Sequence, residues 1–206
     1  MIGLGHYILA FFVAFVFTLT ELLSNQYAMT FRFLRNSTSL YAYGAAYGFA
    51  SIAFLWCMQY FGLYSCLVTT MLGNTWIQAI VIGLITKALL HVSIFRADSI
   101  PIGLETFAHI FEPRLLRQIA LDEYDARKRY IRTTQARYQD LDDVLRRITQ
   151  DIPHSVDEDL SESFLEDLRY KLFIEFDGES DETKIDFAMD NYLVVFGLQT
   201  FVRAFP

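Results

Sequence analysis

Three long runs of apolar residues fill the first 95 positions of the chain and carry almost no charge. They extend over about residues 6–23, 41–64 and 66–95. A helix needs about 20 residues to cross the ~30 Å hydrocarbon layer of a bilayer, and each run is near or above that length. The pattern therefore predicts a transmembrane domain over residues 1–95 with three membrane-spanning helices. No basic segment precedes the first run and no small-residue cleavage site follows it, so we expect it to be retained.

Basic residues beside these runs predict the orientation, because Lys and Arg are retained on the cytoplasmic side of a membrane. Arg32 and Arg35 lie in the loop after the first run, whereas the turn at 61–65 carries no charge. The N-terminus is therefore expected outside and the C-terminus inside, with Lys87 near the cytoplasmic exit of the third run. This predicts a multi-pass protein of the bacterial inner (plasma) membrane with residues 96–206 in the cytoplasm.

Residues 96–206 hold nearly all of the charge in the chain and are predicted to form a cytosolic helical domain. A long helix is expected over about 113–150. Neither Gly nor Pro occurs between Pro113 and Pro153, and proline suits the first position of a helix. The predicted fold class is therefore all-α, with a three-pass transmembrane domain followed by a cytosolic helical domain that contains one long helix.

Two further helices are predicted near the C-terminus. An acidic helix is expected over about 156–176, with a strand over 171–176 as the alternative. A last helix over about 183–205 is apolar nearly all round from Tyr192 onward, so it must be buried. Its place is expected to be the domain core, the side of the long helix or the inner membrane surface.

The long helix carries a repeating stripe of apolar and aromatic positions at steps of four and three residues. Such a period, near 3.5, keeps one side of a helix facing a partner helix. The stripe predicts either packing within its own domain or a coiled-coil seam between subunits of a homo-oligomer. Arg127 and Thr134 occupy two positions of the stripe and interrupt it. Its apolar and aromatic members are Tyr124, Ile131, Tyr138, Leu141, Leu145 and Ile148.

Polar and small residues within the apolar runs are candidates for functional contacts, because burying a polar group in lipid is costly. Glu21 and Lys87 are expected at a similar depth near the inner boundary, either as an ion pair or each reaching the headgroup layer separately. Gly44 and Gly48 form a small-xxx-small step that predicts close packing of the second span.

A second polar feature lies in the third run. Thr70, Asn74 and Gln78 recur every four residues, which would place them on one helical face in the outer half of the bilayer. This face is expected either to supply hydrogen bonds between helices or to line a water-filled path in an assembly of several copies.

Catalytic motifs are almost absent from the sequence, which has no Gly-rich phosphate loop, HExxH, CxxC pair or GxSxG elbow. We therefore expect no enzyme activity, no cofactor and no metal. Arg147 and His154 are separated by six residues, a spacing that resembles the Arg-x4-6-His signature of HEPN-type ribonucleases. The resemblance implies that the pair would act on RNA in a helical dimer. Pro153 interrupts the helix, so the alternative is a solvated Arg147 and a loop histidine.

The charge of the chain narrows the choice of partners. The net charge is −7, and residues 148–206 contain 14 acidic and 4 basic residues. An acidic surface repels phosphate backbones, so no direct nucleic-acid binding is expected of this segment. A soluble, basic cytoplasmic protein is the expected partner, beside membrane lipid around the spans.

These observations support three hypotheses of function. The first is an oligomeric inner-membrane subunit that anchors and regulates a soluble cytoplasmic partner. Its plan of a few spans and a cytosolic helical sensor resembles the membrane components of bacterial antiviral defence systems. The second is a pore-forming effector gated by the cytosolic domain, and the third is a membrane-tethered HEPN-like ribonuclease.

Overall fold

A computed structural model describes residues 3–61, 74–90, 93–97, 100–152 and 158–206 of the chain. The described part is predominantly helical, as predicted, and contains one two-stranded sheet. The helices are α1 (Leu4–Gln26), α2 (Thr38–Tyr60), α3 (Thr75–Leu90), α4 (Leu104–Gln135), α5 (Leu141–Asp151), α6 (Glu158–Tyr170) and α7 (Asp181–Ala204). The remaining elements are an antiparallel pair of strands β1 (Ser93–Ala97) and β2 (Ile100–Gly103), a 3-10 turn (Phe31–Leu34) and a π-helical turn (Lys171–Glu175).

The chain divides into two compact units. Unit 1 comprises Met1–Tyr27 and Asn36–Asp122, and unit 2 comprises Ala28–Arg35 and Glu123–Pro206. The last boundary lies inside α4. The assignment of residues 1–95 to a membrane and 96–206 to the cytosol stays a prediction.

Unit 1 contains a bundle of α1, α2 and α3. Gly48 of α2 lies against Phe11 of α1, and Gly44 lies against Leu19, so α1 and α2 are antiparallel. His6 of α1 contacts Thr75 at the start of α3. Glu21 and Lys87 meet near the other ends of the two helices, so α1 and α3 are parallel.

Side-chain caps fix where two of these helices begin. Ser37 Oγ accepts a hydrogen bond from the Leu40 N–H at 3.2 Å at the start of α2. Asn74 Oδ1 accepts one from the Trp76 N–H at 2.9 Å at the start of α3. Both contacts satisfy amide donors that have no partner within the first helical turn.

The predicted third span over 66–95 is therefore wrong in its extent. Its helix covers only the 16 residues Thr75–Leu90, and extended strand begins at Ser93. The part of the prediction over residues 66–73 lies outside the described residues.

The predicted helix over 113–150 is wrong at both ends and in its continuity. Helix α4 begins nine residues earlier, at Leu104, and contains Pro113 in its interior. It ends at Gln135, and α5 begins anew after Asp140, whose Oδ1 accepts a hydrogen bond from the Asp142 N–H at 3.0 Å. Asp140 is thus the N-cap of α5, and it marks the break between the two helices although no Gly or Pro is present there.

This break allows both helices to contribute to one core in unit 2. Ile131, Val144 and Ile148 are fully buried there with Leu172 and Tyr192. Three more members of the predicted seam pack against the same core, and they are Tyr138, Leu141 and Leu145.

The structure therefore supports packing of the stripe within its own domain. Only Tyr124, which is 46% exposed, lies outside this core among the six predicted positions.

The C-terminal helix forms the centre of unit 2. Helix α7 begins two residues before its predicted start, where Ser180 Oγ accepts a hydrogen bond from the Thr183 N–H at 3.3 Å. Gly197 interrupts it with φ 80° and ψ 170°, a conformation open essentially to glycine alone. The apolar residues after Tyr192 include the buried Phe196 and Phe201, which settles the core as their place.

The acidic helix is described from Glu158 onward, so its predicted start at 156 lies outside the described residues. The chain stays helical through Lys171–Glu175 but widens into a π turn, which the Phe176 N–H closes on the Lys171 carbonyl at 2.9 Å. The alternative of a strand over 171–176 is wrong.

Candidate functional site

The bundle of unit 1 buries several polar side chains beside an apolar core that includes Tyr47, Leu55 and Ile82, and it exposes many large apolar residues. Its interior contains five buried polar side chains, which are His6, Thr18, Ser51, Gln78 and Thr86. Its outer surface presents Leu4, Ile8, Phe12, Val16, Phe49, Trp56, Trp76, Ile80 and Leu84. A protein surrounded by water rarely exposes so many large apolar side chains together, whereas lipid tolerates an apolar exterior.

Two buried hydroxyl groups are satisfied by their own helices. Ser51 Oγ donates to the Gly48 carbonyl at 2.7 Å, and Thr86 Oγ1 donates to the Ile82 carbonyl at 2.6 Å. Such bonds back to the preceding turn let a hydroxyl group sit in apolar surroundings without a partner on another helix.

Glycines bring the three helices into close contact. A methyl group added at Gly48 would lie 2.6 Å from the Phe11 ring, and one at Gly44 would lie 2.9 Å from Leu19 Cγ. These two glycines, which were predicted to allow close packing, therefore pack against α1 of the same chain. Gly83 of α3 is equally tight, since its added methyl would lie 2.8 Å from Val13. Sequence reasoning missed Gly83, although a glycine inside an apolar run was a signal.

One end of the bundle carries an uncharged polar cluster. His6 and Thr75 Oγ1 share a hydrogen bond of 2.8 Å, and the His6 ring lies 4.2 Å from that of Trp76. Beside them, Tyr7 Oη donates to Gln59 Oε1 at 2.5 Å. The cluster joins the start of α1 to the start of α3 and the end of α2.

The opposite end of the bundle carries the charged pair. Lys87 Nζ lies 3.0 Å from Glu21 Oε2, and both side chains are about one-third exposed or less. The contact is an ion pair without the alignment of a hydrogen bond. The structure therefore brings together the two residues that the sequence suggested as a pair.

The predicted polar face of the third span is not found as one surface. Asn74 precedes α3 and caps it, whereas Gln78 is buried inside the bundle. Thr70 lies outside the described residues.

Hydrogen bonds join α2 to the first part of α4 within unit 1, and sequence reasoning had no signal for them. Tyr43 Oη donates to Glu112 Oε1 at 2.8 Å, and Ser37 Oγ donates to Asp122 Oδ2 at 2.6 Å. The bond from Ser37 holds the pKa of Asp122 below its usual value, because it stabilises the carboxylate.

Unit 2 contains an ion-pair cluster between α4 and α7. Its members are Glu123, Arg127, Lys128, Asp186 and Asp190. Lys128 Nζ donates to Asp186 Oδ2 at 2.6 Å and lies 3.3 Å from Asp190 Oδ2. Arg127 lies 3.2 Å from Asp190 Oδ1 and 3.3 Å from Glu123 Oε1.

The pKa values of Glu123 and Lys128 are both raised, but burial dominates for Glu123 and pairing dominates for Lys128. Burial raises the pKa of Glu123, and the charge of Arg127 only partly offsets it. Burial alone would lower the pKa of Lys128, but the hydrogen bond to Asp186 and the charge of Asp190 outweigh it and raise the pKa. Lys128 therefore stays charged and holds α4 to α7.

A second polar connection joins the end of α5 to α7. Arg203 donates from Nε to Asp151 Oδ1 at 2.6 Å and from Nη2 to Oδ2 at 3.1 Å. Tyr192 Oη donates to Asp151 Oδ2 at 2.6 Å, and burial first and this bond second raise the pKa of Tyr192. Arg203 places a positive charge beside an aspartate that would otherwise be unfavourable at the C-terminal end of a helix.

The candidate ribonuclease pair is only half described. Arg147 Nε donates to Asp143 Oδ2 at 2.9 Å, and its guanidinium lies 4.8 Å from the centre of the Tyr138 ring. These contacts give Arg147 a structural role at the turn between α4 and α5. His154 lies outside the described residues.

The described part of the chain contains no group of three or more His, Cys, Asp or Glu side chains that could hold a metal ion. Helices α1 and α2 are long and apolar enough to cross a membrane, and α3 is apolar but shorter. Comparison with protein-family models, curated proteins and solved structures finds no match to this chain.

Proposed function

We propose that the protein is a three-pass inner-membrane subunit that anchors a helical cytosolic domain, through which it binds and regulates a soluble protein partner. The observation that carries this proposal is the large apolar exterior of the α1–α3 bundle. Phe12, Phe49 and Trp56 are each more than half exposed, while polar side chains such as Thr18 and Gln78 are buried beside the apolar core. A lipid surround makes that arrangement favourable because it solvates the apolar exterior.

The two ends of the bundle support the proposed orientation. No charged residue precedes Glu21 in the chain, and none lies between Arg35 and Lys87. The end with His6 therefore has no Asp, Glu, Lys or Arg of α1–α3, and the other end has the Glu21–Lys87 pair. Arg32 and Arg35 follow α1 on that charged side, which the positive-inside rule places in the cytoplasm.

Contacts in unit 2 support a binding role over a catalytic one. Charged side chains there pair with each other across α4, α5 and α7, and Arg147 pairs with Asp143. Such pairs fix the relative positions of helices, which suits a rigid platform for a partner.

The position of Gln78 favours the anchor over the pore-forming effector. Its side chain is buried inside the bundle of its own chain, so it does not offer a polar lining to an assembly of copies. Homo-oligomerisation stays a prediction, and the outer faces of the membrane helices would have to carry it, since the α4–α5 stripe is buried in unit 2.

Labelling of single cysteines in intact spheroplasts tests the proposal. Cys57 and Cys66 would be replaced by Ser, and Gly3→Cys or Glu179→Cys introduced in turn. With a membrane-impermeant maleimide, we expect labelling of Cys at position 3 in intact cells and at position 179 only after lysis. Labelling at 179 in intact cells, or release of the protein by alkaline carbonate, would overturn the proposal.

The partner is tested by purification of the tagged protein from its native host in mild detergent. We expect a stoichiometric soluble protein in the complex, and the mass of the complex gives the copy number. A complex without a soluble protein contradicts the regulatory role. Survival of host cells under phage challenge, with and without the gene, tests the resemblance to antiviral defence.

A further inference from the structure

Three large apolar side chains form an exposed patch on unit 2. Tyr170, Phe173 and Ile174 are 54%, 57% and 61% exposed. They lie within five consecutive residues, Tyr170 at the end of α6 and the other two in the π turn that follows it. Single exposed apolar residues are common on protein surfaces, but three neighbours on a charged domain mark an interaction surface. We refer to them as the Tyr170 patch.

The π turn places this patch beside the core without adding it to the core. Leu172 is fully buried, while the next two side chains point outward from the same turn. The turn is closed by the bond from the Phe176 N–H to the Lys171 carbonyl. π turns are rare and occur frequently at functional sites, which is a second reason to assign a role to this segment.

Acidic residues flank the Tyr170 patch in the sequence, and Arg169 and Lys171 are the two basic residues beside it. Glu166 and Asp167 precede it by one helical turn, and Glu175 and Asp177 follow it. Lys171 is already paired, with its Nζ 2.7 Å from Asp167. The stretch from residue 161 to 182 contains eight acidic and two basic residues. This charge repels an anionic membrane surface and attracts a basic protein segment.

We propose that the Tyr170 patch docks a basic amphipathic helix of the cytoplasmic partner. An apolar stripe on such a helix would cover the three exposed side chains, and Lys or Arg beside the stripe would meet the flanking carboxylates. The inference rests on the proposed function, because it names the class of partner that the anchored domain binds.

The test uses the full-length protein in nanodiscs of phosphatidylcholine and a labelled Lys/Leu peptide of about five helical turns. A Glu/Leu peptide with the same apolar positions is the matched probe of opposite charge. Fluorescence anisotropy is expected to report binding of the basic peptide, weaker at high salt, and no binding of the acidic peptide.

Two paired variants locate the binding surface. Phe173→Ser with Ile174→Ser is expected to weaken binding of the basic peptide by about tenfold or more, since apolar anchors dominate such interfaces. Val194→Ser with Val195→Ser is the control, because these adjacent residues of α7 are 42% and 37% exposed outside the patch. The control is expected to leave the affinity within about twofold of the wild type.

Several results would overturn the docking proposal. They are equal binding of the two peptides, equal loss in the control variant, no binding of the basic peptide, or cofloatation with phosphatidylglycerol vesicles that depends on Phe173 and Ile174. Cysteine labelling tests the membrane anchor independently. The peptide assay can therefore contradict the docking proposal without contradicting the membrane anchor, and cysteine labelling can contradict the anchor without affecting the peptide result.

Discussion

Units 1 and 2 both have apolar cores but differ in the side chains that they expose. The three-helix bundle of unit 1 encloses polar groups such as Thr18 and Gln78 and exposes aromatic ones such as Trp56. Unit 2 encloses an aromatic and aliphatic core around Tyr192 and places its charges outside or in ion pairs. The difference is the one expected if unit 1 lies in lipid, as proposed, and unit 2 in water, because lipid solvates apolar side chains and water solvates charged ones.

We expect a large-to-small substitution to lower the free energy of unfolding most in the core of unit 2. Ile148→Ala removes a fully buried side chain from the core to which α4, α5 and α7 contribute. We expect a loss of about 3 kcal/mol in the stability of unit 2, from lost burial and the remaining cavity. Amide hydrogen exchange of α5 and α7 in nanodiscs measures it. Thr149→Ala on the exposed side is the control, and equal loss of protection there would contradict the prediction.

In unit 1 the sensitive substitutions are those that enlarge a small residue. Gly83→Val would place its Cβ 2.8 Å from Val13 and 2.9 Å from the Ala10 carbonyl oxygen, and its two methyl groups would extend further. We expect a loss of about 2 kcal/mol from overpacking against backbone that cannot move aside. Thermal unfolding followed by tryptophan fluorescence reports on unit 1, because Trp56 and Trp76 both lie there. Leu84→Val, on the exposed side of α3, is expected to change little.

The pattern of apolar residues predicted the helices but not their exact limits or their breaks. Runs at 6–23 and 41–64 correspond to the helices Leu4–Gln26 and Thr38–Tyr60. The length of each apolar run was sufficient to predict these two helices. The break after Gln135 was missed, since it depends on the Asp140 cap and on Tyr138 packing against Phe205 at 5.4 Å between ring centres.

Contacts between residues far apart in sequence were predictable only where both partners were unusual. Glu21 and Lys87 are the two charges within the apolar runs, so their pairing could be suggested. Tyr43 and Glu112 are ordinary residues in their segments, and only the fold brings them together. The cluster around Lys128 was likewise missed, because a charged helix face gives no sign of the helix it will meet.

The Glu21–Lys87 pair can be compared with the ion-pair cluster of unit 2, in which Arg127 and Glu123 are less exposed than Lys87 and Glu21. Glu21→Gln leaves the Lys87 ammonium without its carboxylate at the end of an apolar bundle. We expect a loss of about 1 kcal/mol, and the double variant Glu21→Gln with Lys87→Gln should recover part of it. Tryptophan-monitored unfolding measures the coupling in this double-mutant cycle. Strict additivity of the two single changes would show that the pair contributes nothing.

The substitution Glu123→Gln has the smallest expected effect on stability, and it is expected to stabilise unit 2 rather than destabilise it. Burial raises the pKa of its carboxyl group above the ordinary value. Between the ordinary and the raised pKa the folded state binds more protons than the unfolded state, so the stability of unit 2 falls as pH rises through that interval. Glu123→Gln removes the cost of an ionised buried group and should stabilise unit 2 at pH 7, by less than about 1 kcal/mol.

The neighbouring residue is a control of opposite sign. The Ser37 hydrogen bond lowers the pKa of Asp122, so this carboxylate stabilises the fold above its ordinary pKa and ceases to do so as pH falls through the lowered value. Asp122→Asn should therefore destabilise the protein at pH 7. Hydrogen exchange at pH 7 and near pH 4 separates the two, because near pH 4 the Glu123 carboxyl group, with its raised pKa, becomes protonated and Glu123→Gln should lose its effect, whereas Asp122, with its lowered pKa, stays ionised in the folded state. A loss of stability at pH 7 in Glu123→Gln would show that its pairing with Arg127 outweighs its burial.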